Sequence, residues 1–487
     1  TIKCQNTENY LNLEQLTISM TIFECLNIRI NTRKDLILQQ EIFFGFKQRQ
    51  QQQSVQNYVF LESNQYIKIN ANITHMDNYL GILIFIADKN IYIEPPKTDI
   101  YNNIFIKSGH IGLQTNEEII LKNSFFSANF IRCDDDLNFS MKKKSIYSQL
   151  FELFIDKQTG KANLVFKKQE KNSKFKIVYQ FLQTDFTLLF LAEKNISMDI
   201  NTTIKASKIG LFSLNIASNG NLNSTGMGCQ PNNGKGKGLY YNTEYQCAAH
   251  GAHHAGYGGI GLPQGKLEAD VIEQYAIYCI KYFNYINFIF KNNPYDYQNM
   301  FFEGSGGSCQ NCSEKIEEKK EGEGAGGGVV IIYGVQQVQL GGKVESNGQK
   351  FWNVKGSGGS GGSILIKSNI IQGNAQLMAQ GGDSDDEGLF GEGSGGKIQI
   401  DQQNCIGFFD LNQKIQQFNG IINVQSGFRK INNQLIKNEL FLQIKANNGV
   451  FIPQICQSEY EPNINGGCDL CKQGYYKTSS FGSCKKV

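Results

Sequence analysis

An all-β fold wound as a parallel β-helix is what this sequence predicts, and three observations predict it. A glycine-led hexad recurs with a period of about 34 residues: Gly327-Gly328-Val329-Val330-Ile331-Ile332 is answered by Gly361-Gly362-Ser363-Ile364-Leu365-Ile366 and then by Gly395-Gly396-Lys397-Ile398-Gln399-Ile400. The second half of the unit repeats as well, Lys343-Val344-Glu345-Ser346-Asn347-Gly348 being followed one period on by Gln376-Leu377-Met378-Ala379-Gln380-Gly381. Helical spacing of apolar residues is scarce elsewhere. Each unit reads as two short strands and two glycine turns. A strand pair of that size cannot bury its apolar face alone, so neighbouring units must stack and share a core.

The elements follow in order. Residues 1–203 form a strand-rich N-terminal region with few glycines, read as continuous with the helix. Tyr66–Ile73, Asn90–Glu94 and Gly109–Leu113 alternate apolar with polar residues, the period of a half-buried strand. The Gln-rich stretch 47–53 reads as a solvated loop. Residues 204–455 are the glycine-rich parallel β-helix. Ile209–Gly220 already carries a strand-then-Asn-Gly cadence that returns at Ser346-Asn347-Gly348 and Ala446-Asn447-Asn448-Gly449. Asn-Gly predicts a turn through the left-handed region, which glycine enters freely and asparagine tolerates. The stretches 226–265 and 303–328 read as excursions from one edge, where solenoids place binding surfaces. Residues 456–487 hold Cys456, Cys468, Cys471 and Cys484 with almost no aliphatic side chains, so disulfides must stand in for a core there.

Size and charge narrow the function classes. A chain of 487 residues is long for one compact domain but ordinary for a solenoid, whose core grows along an axis. The net charge of +3, from 47 basic and 44 acidic residues, is too balanced to attract nucleic acid or an anionic membrane by long-range field. Leu80–Ala87 is too short to span a bilayer, and Tyr275–Phe290 is broken by Lys281 and asparagines. The 13 cysteines, together with Asn-x-Ser/Thr triplets at Asn72, Asn138, Asn195, Asn201, Asn223 and Asn311, point to the secretory route and a glycoprotein. Thr1–Gln5 has neither the basic start nor the apolar stretch of a signal peptide, so residue 1 is read as a processed end. An odd cysteine count leaves one thiol free or paired between chains.

The glycine hexads, the Asn-Gly cadence and Cys247-Ala248-Ala249-His250-Gly251-Ala252-His253-His254-Ala255-Gly256-Tyr257 together resemble large glycine-rich surface proteins of protists and plants. The resemblance spans roughly 204–487. It implies a pectin-lyase-like parallel β-helix followed by cysteine-rich repeats, and a right-handed coil, which the general bias of parallel crossovers also favours. Gly467-Cys468-Asp469-Leu470-Cys471 with Gly482-Ser483-Cys484 resembles the growth-factor-receptor type of cysteine-rich repeat, a family in which such units come in tandem. A single unit here makes the chain read as a piece of something longer.

Candidate chemistry is sparse. Three of the five histidines, His250, His253 and His254, lie near Cys247, and clustered imidazoles suit a transition metal. The competing reading is a structural turn, with Cys247 paired to Cys229. Asp383, Asp385 and Asp386 form the densest acid cluster of the repeats, with oxygen ligands at a spacing calcium accepts. A polyuronide lyase would also need a strong base, and Arg429 is the one arginine of the repeat region. A glycosidase would need two carboxylates facing across a sugar, and nothing in the sequence sets Asp134-Asp135-Asp136 or Asp385-Asp386 opposite another carboxylate. Cys309-Gln310-Asn311-Cys312 has redox spacing without the helix start that lowers a thiol pKa, and reads as a disulfide. Gly234–Gly238 lacks the order of a phosphate-binding loop.

The functional expectation is an extracellular structural or adhesive protein without catalytic residues or an assured cofactor, calcium aside. It would self-associate into a homo-oligomer, filament or coat through its helix ends and disulfides. The rivals are a carbohydrate-active or glycan-binding β-helix and a receptor ectodomain with a protein partner.

Overall fold

A computed structural model describes residues 2–3, 9–24, 27–44, 58–75, 81–96, 103–128, 151–155, 162–166, 186–234, 236–238, 247–248, 250–255, 257–262, 277–281, 303–308, 324–351, 356–384, 390–402, 418, 420–429, 445–452, 460–462, 468–470, 475–476 and 485–486. Its body is a parallel β-solenoid. A 25-stranded sheet winds through three parallel ladders, joined where long strands bend from one ladder to the next. The first ladder stacks Asn9–Leu13, Asn27–Thr32, Tyr58–Ser63, Ile82–Ala87, His110–Thr115, Leu188–Ala192, the opening halves of Lys208–Ser218, Val329–Leu340 and Ser363–Gly373, then Lys397–Gln402 and Val450–Ile452. The second takes the closing halves of those long strands together with Asn90–Ile93, Glu118–Leu121 and Asn195–Met198. The third includes Ile104–Ser108, Ser124–Ala128, Thr203–Ala206, Asn221–Asn223, Lys343–Glu345, Gln376–Met378 and Ile421–Asn423. About ten turns at ~4.8 Å each make a stack roughly 50 Å tall. Strands on either side of residue 203 belong to the same ladders.

Register follows the repeat. Val330 lies opposite Ile364, and Ile364 opposite Ile398; Lys343 lies opposite Gln376. Because identical offsets place like residues over one another, the alternation of each strand becomes an inward column. Leu61, Phe85, Leu113, Phe190, Leu211, Ile332 and Ile366 form one such column, all buried. Each fully buried aliphatic side chain contributes about 1.5–3 kcal/mol, which is how a coil too small for its own core holds together. Corners take small residues in the same columnar way. Thr32, Ser63, Ala87, Thr115 and Ala192 are stacked and buried, and the hydroxyls of Ser63 and Thr115 donate to the carbonyls of Lys34 and Lys89 where the chain turns.

The outer side of the first ladder is also apolar. Phe60, Ile82, Ile84, Phe186, Leu189, Leu191, Phe212, Tyr333 and Val335 make a second buried cluster there, with Phe212 edge-on to both Phe186 and Tyr333. An antiparallel hairpin, Phe151–Ile155 with Ala162–Phe166, comes from the insertion between Ala128 and Phe186, and its second strand lies near Lys208–Ser218 and Val329–Leu340.

From the third ladder the chain runs out into a glycine-rich body and returns to start the next coil. Segment 356–362 shows how this body is built. The amides of Ser357 and Ser360 donate to Ser308 and Ser305, those of Gly358 and Gly361 to Gly391 and Ser394, and those of Gly359 and Gly362 to Gln349 and Ser346. Residues three apart address the same neighbour, so the segment has three residues per turn and no internal bonds. That is the geometry of polyproline II. Each segment is surrounded by others of its kind, and their backbones come so close that side chains do not fit: a methyl on Gly359 would land on Ala325 O, and one on Gly251 on Glu392 O.

This corrects the expected turns. Of the described residues, only Gln40, Asn123, Asn232, Gly226, Gly234, Gly324 and Gly373 have positive φ; Asn219-Gly220, Asn347-Gly348 and Asn448-Gly449 do not. Glycine is required at these places by close backbone approach, not by a left-handed turn. The stretches 226–265 and 303–328 do leave the ladders between Asn223 and Val329, and their described parts are largely buried within the body.

Candidate functional site

The glycine-rich body encloses a buried polar cluster. Segments 247–255 and 257–262 run antiparallel, with Gly251 N donating to Gly259 O and Ala248 N to Leu262 O. Because their own backbones pair so closely, the imidazoles take amides as partners. Gly261 N donates to His250 Nδ1 at 2.9 Å and Gly258 N to His253 Nδ1 at 2.6 Å. His254 Nε2 lies 3.1 Å from Ser363 Oγ. Around them, Arg429 Nη1 donates to Ile260 O at 2.6 Å and faces Glu392 Oε2 at 3.4 Å, while Glu392 Oε1 accepts from Ala446 N at 2.8 Å. At the root of the body, Lys208 Nζ meets Glu303 Oε1 at 2.7 Å. These groups are inside: His250, His253, His254, Glu392, Lys397 and Arg429 are all buried.

Burial dominates their electrostatics. It pushes His250 from the usual 6.5 to about 3, helped by neighbouring His253 and Arg429. Burial also pushes His254 to about 3, with the Lys397 ammonium adding to the effect, and lowers Lys397 itself from 10.5 to about 8. Two imidazoles accept hydrogen bonds from backbone amides, so the structure is built around their neutral forms. The Ser363–His254 contact has the spacing of a nucleophile and its base. It sits where no solvent reaches, and an imidazole lowered this far is a weak base at neutral pH. The cluster is suited to holding segments together.

The residues singled out from sequence are distributed unevenly. The three histidines do converge in one region, yet among the described residues no three His, Cys, Asp or Glu side chains are grouped so as to hold a metal ion. Asp383 is exposed, its Oδ1 accepting from Phe428 N at 2.7 Å. Asp385, Asp386, Asp134–Asp136, Cys309, Cys312, Cys456, Cys471, Cys484, Asn138 and Asn311 lie outside the described residues, as does the side chain of Cys468. Cys247 bonds Cys279 on a short helix at 277–281, not Cys229; Cys229 is disulfide-bonded elsewhere. The sequence-adjacent choice fails because 229 and 247 sit on different segments of the body. Arg429 is committed to the buried pair with Glu392.

Glu392 and Lys397 were not singled out from sequence. The register carried a signal for Lys397, which stands where earlier coils have Val329 and Ser363. A charged residue at a buried rung marks a built environment. No helix among the described residues is long and apolar enough to cross a membrane. No protein-family model, curated protein or solved structure matches the chain.

Proposed function

We propose that this chain is an extracellular structural or adhesive surface protein that assembles end to end into a filament or coat. The observation that carries the reading is that the aliphatic columns run out to exposed ends. Leu11 stands in register with fully buried Ile30, yet is 45% exposed. At the other end Ile400, Ile422 and Phe451 are only partly buried. A parallel stack that ends on apolar rungs and unpaired backbone is a template for another stack, and a second copy presents the complementary end. The secretory location is supported by the Cys247–Cys279 disulfide. A right-handed coil is favoured by the bias of parallel crossovers. The growth-factor-receptor-like tail is supported by the antiparallel pairs Tyr460–Pro462 with Cys468–Leu470 and Tyr475–Tyr476 with Lys485–Lys486.

The test is sedimentation velocity and negative-stain microscopy of the secreted, disulfide-intact protein across a concentration series. Chains of particles joined along the solenoid axis are expected, and Leu11→Asp should shift them to single particles. A monomer at every concentration, unchanged by Leu11→Asp, would overturn the reading.

A further inference from the structure

The outward column of the third ladder runs Glu41, Asn72, Phe105, Phe125, Thr203, Asn221, Lys343, Gln376, Ile421. Through most of its length it is polar, as a solvent face should be. Two phenylalanines interrupt it immediately beside Asn72. Phe105 is 49% exposed and its ring packs at 5.7 Å against Phe125, forming an apolar ledge on the outside of the stack. Asn72 lies next to that ledge: Phe105 N donates to Asn72 Oδ1 at 2.9 Å, which leaves Nδ2 as the atom of the amide not engaged. Asn72-Ile73-Thr74 is an N-glycosylation triplet.

The other described triplets differ. Asn195 is half-buried, its Nδ2 donating to Glu118 Oε1 at 2.5 Å and its Oδ1 accepting from Asn215 Nδ2 at 3.1 Å, so it is one rung of a polar ladder. Asn201 Nδ2 donates to Asn123 Oδ1 at 2.7 Å. Asn223 is half-buried where the chain leaves for the glycine-rich body, and Ser224 beside it is fully buried. Asn72 alone among these combines exposure, an unengaged Nδ2 and an adjacent apolar surface.

We propose that Asn72 carries an N-linked glycan whose first N-acetylhexosamine lies on the Phe105–Phe125 ledge. The idea rests on the secretory reading above. In the transfer, Nδ2 bonds to C1 of a lipid-diphosphate-linked oligosaccharide, the C1–oxygen bond to the diphosphate breaks, Nδ2 loses a proton, and the lipid diphosphate leaves. On folding, the sugar's C–H face covers rings that would otherwise face water.

The test is glycopeptide mapping of the full chain secreted from a eukaryotic host, followed by hydrogen exchange. Asn72 should be occupied, with Asn195 and Asn223 unmodified. Thr74→Val, which prevents transfer while keeping Asn72, should speed exchange of the Ile104–Ser108 and Ser124–Ala128 amides about five-fold, and Phe105→Ser should abolish that difference. Trimming the glycan to its first sugar should leave protection intact. An unmodified Asn72 with another triplet occupied would overturn the proposal and leave the secretory reading standing. Absence of glycan at every triplet would sink both. An occupied Asn72 whose loss changes exchange equally with and without Phe105 would refute the ledge.

Discussion

Acid should open the glycine-rich body before it opens the solenoid. His250 and His254 titrate at about 3 in the folded chain against 6.5 when exposed. Between those values the unfolded chain binds more protons, so stability is complete above pH 6.5 and drains as pH falls toward 3. The loss reaches about 2 kcal/mol per ring at pH 5 and roughly 4–5 kcal/mol per ring once both states are protonated. Protonation also removes the acceptor that Gly261 N uses on His250, and it adds charge beside Arg429 and Lys397. Lys397, lowered to about 8, is a standing cost below that pH and adds nothing to the acid window. In the solenoid His110 is lowered to about 4 by burial, one ring within a far larger aliphatic core. Hydrogen exchange from pH 7.5 to 4, corrected for intrinsic rates, should show segments 356–362 and 390–396 losing protection near pH 5 while Ile104–Ser108 and His110–Thr115 keep theirs. His250→Gln with His254→Gln should flatten the dependence. Simultaneous loss in both bodies, or full protection of the glycine segments at pH 4, would refute the reasoning.

Two further outcomes follow from the same contacts. Glu392→Gln removes the carboxylate that faces the buried Arg429 guanidinium and should destabilise the body by about 3–5 kcal/mol, read as an earlier thermal transition with the solenoid transition unmoved. Gly359→Ala puts a methyl onto Ala325 O; the secreted protein should show faster proteolysis within 324–396, whereas Gly341→Ala, whose nearest neighbour is the Asn219 side chain, should be tolerated.

The solenoid was legible because its register is written in the sequence. A strand repeating at a constant offset must lie over its own copy, and Ile364 and Ile398 do. Alternation at Tyr66–Ile73 and Asn90–Glu94 marked the N-terminal coils without a glycine signal. The glycine-rich body was not legible in the same way. Local chemistry makes Asn347-Gly348 look like a turn, and only the neighbours at Gly359 and Gln380 reveal an extended segment with no room for side chains. Gly359 lies on the returning leg of the same excursion and Gln380 on the next coil, so no short window of sequence shows how the three backbones meet. The disulfide was misread for the same reason: proximity in sequence favoured Cys229, while the fold brings Cys279 to Cys247. The histidine cluster was visible as composition, but its role depends on Glu392, Lys397 and Arg429, which arrive from later coils.

A simple solenoid communicates only between adjacent coils, and its ends can fray one rung at a time. Here the segment inserted between Asn223 and Val329 reaches several rungs ahead. Ala252 N donates to Gly358 O, Ser394 N to Ala252 O and Asn447 N to Tyr257 O, so one early insertion acts as a strap across three later windings. Under tension along the axis, those windings would yield as a block and not in sequence. Assembly would be delayed in return, since the strap can close only after the last of them has been synthesised and laid down.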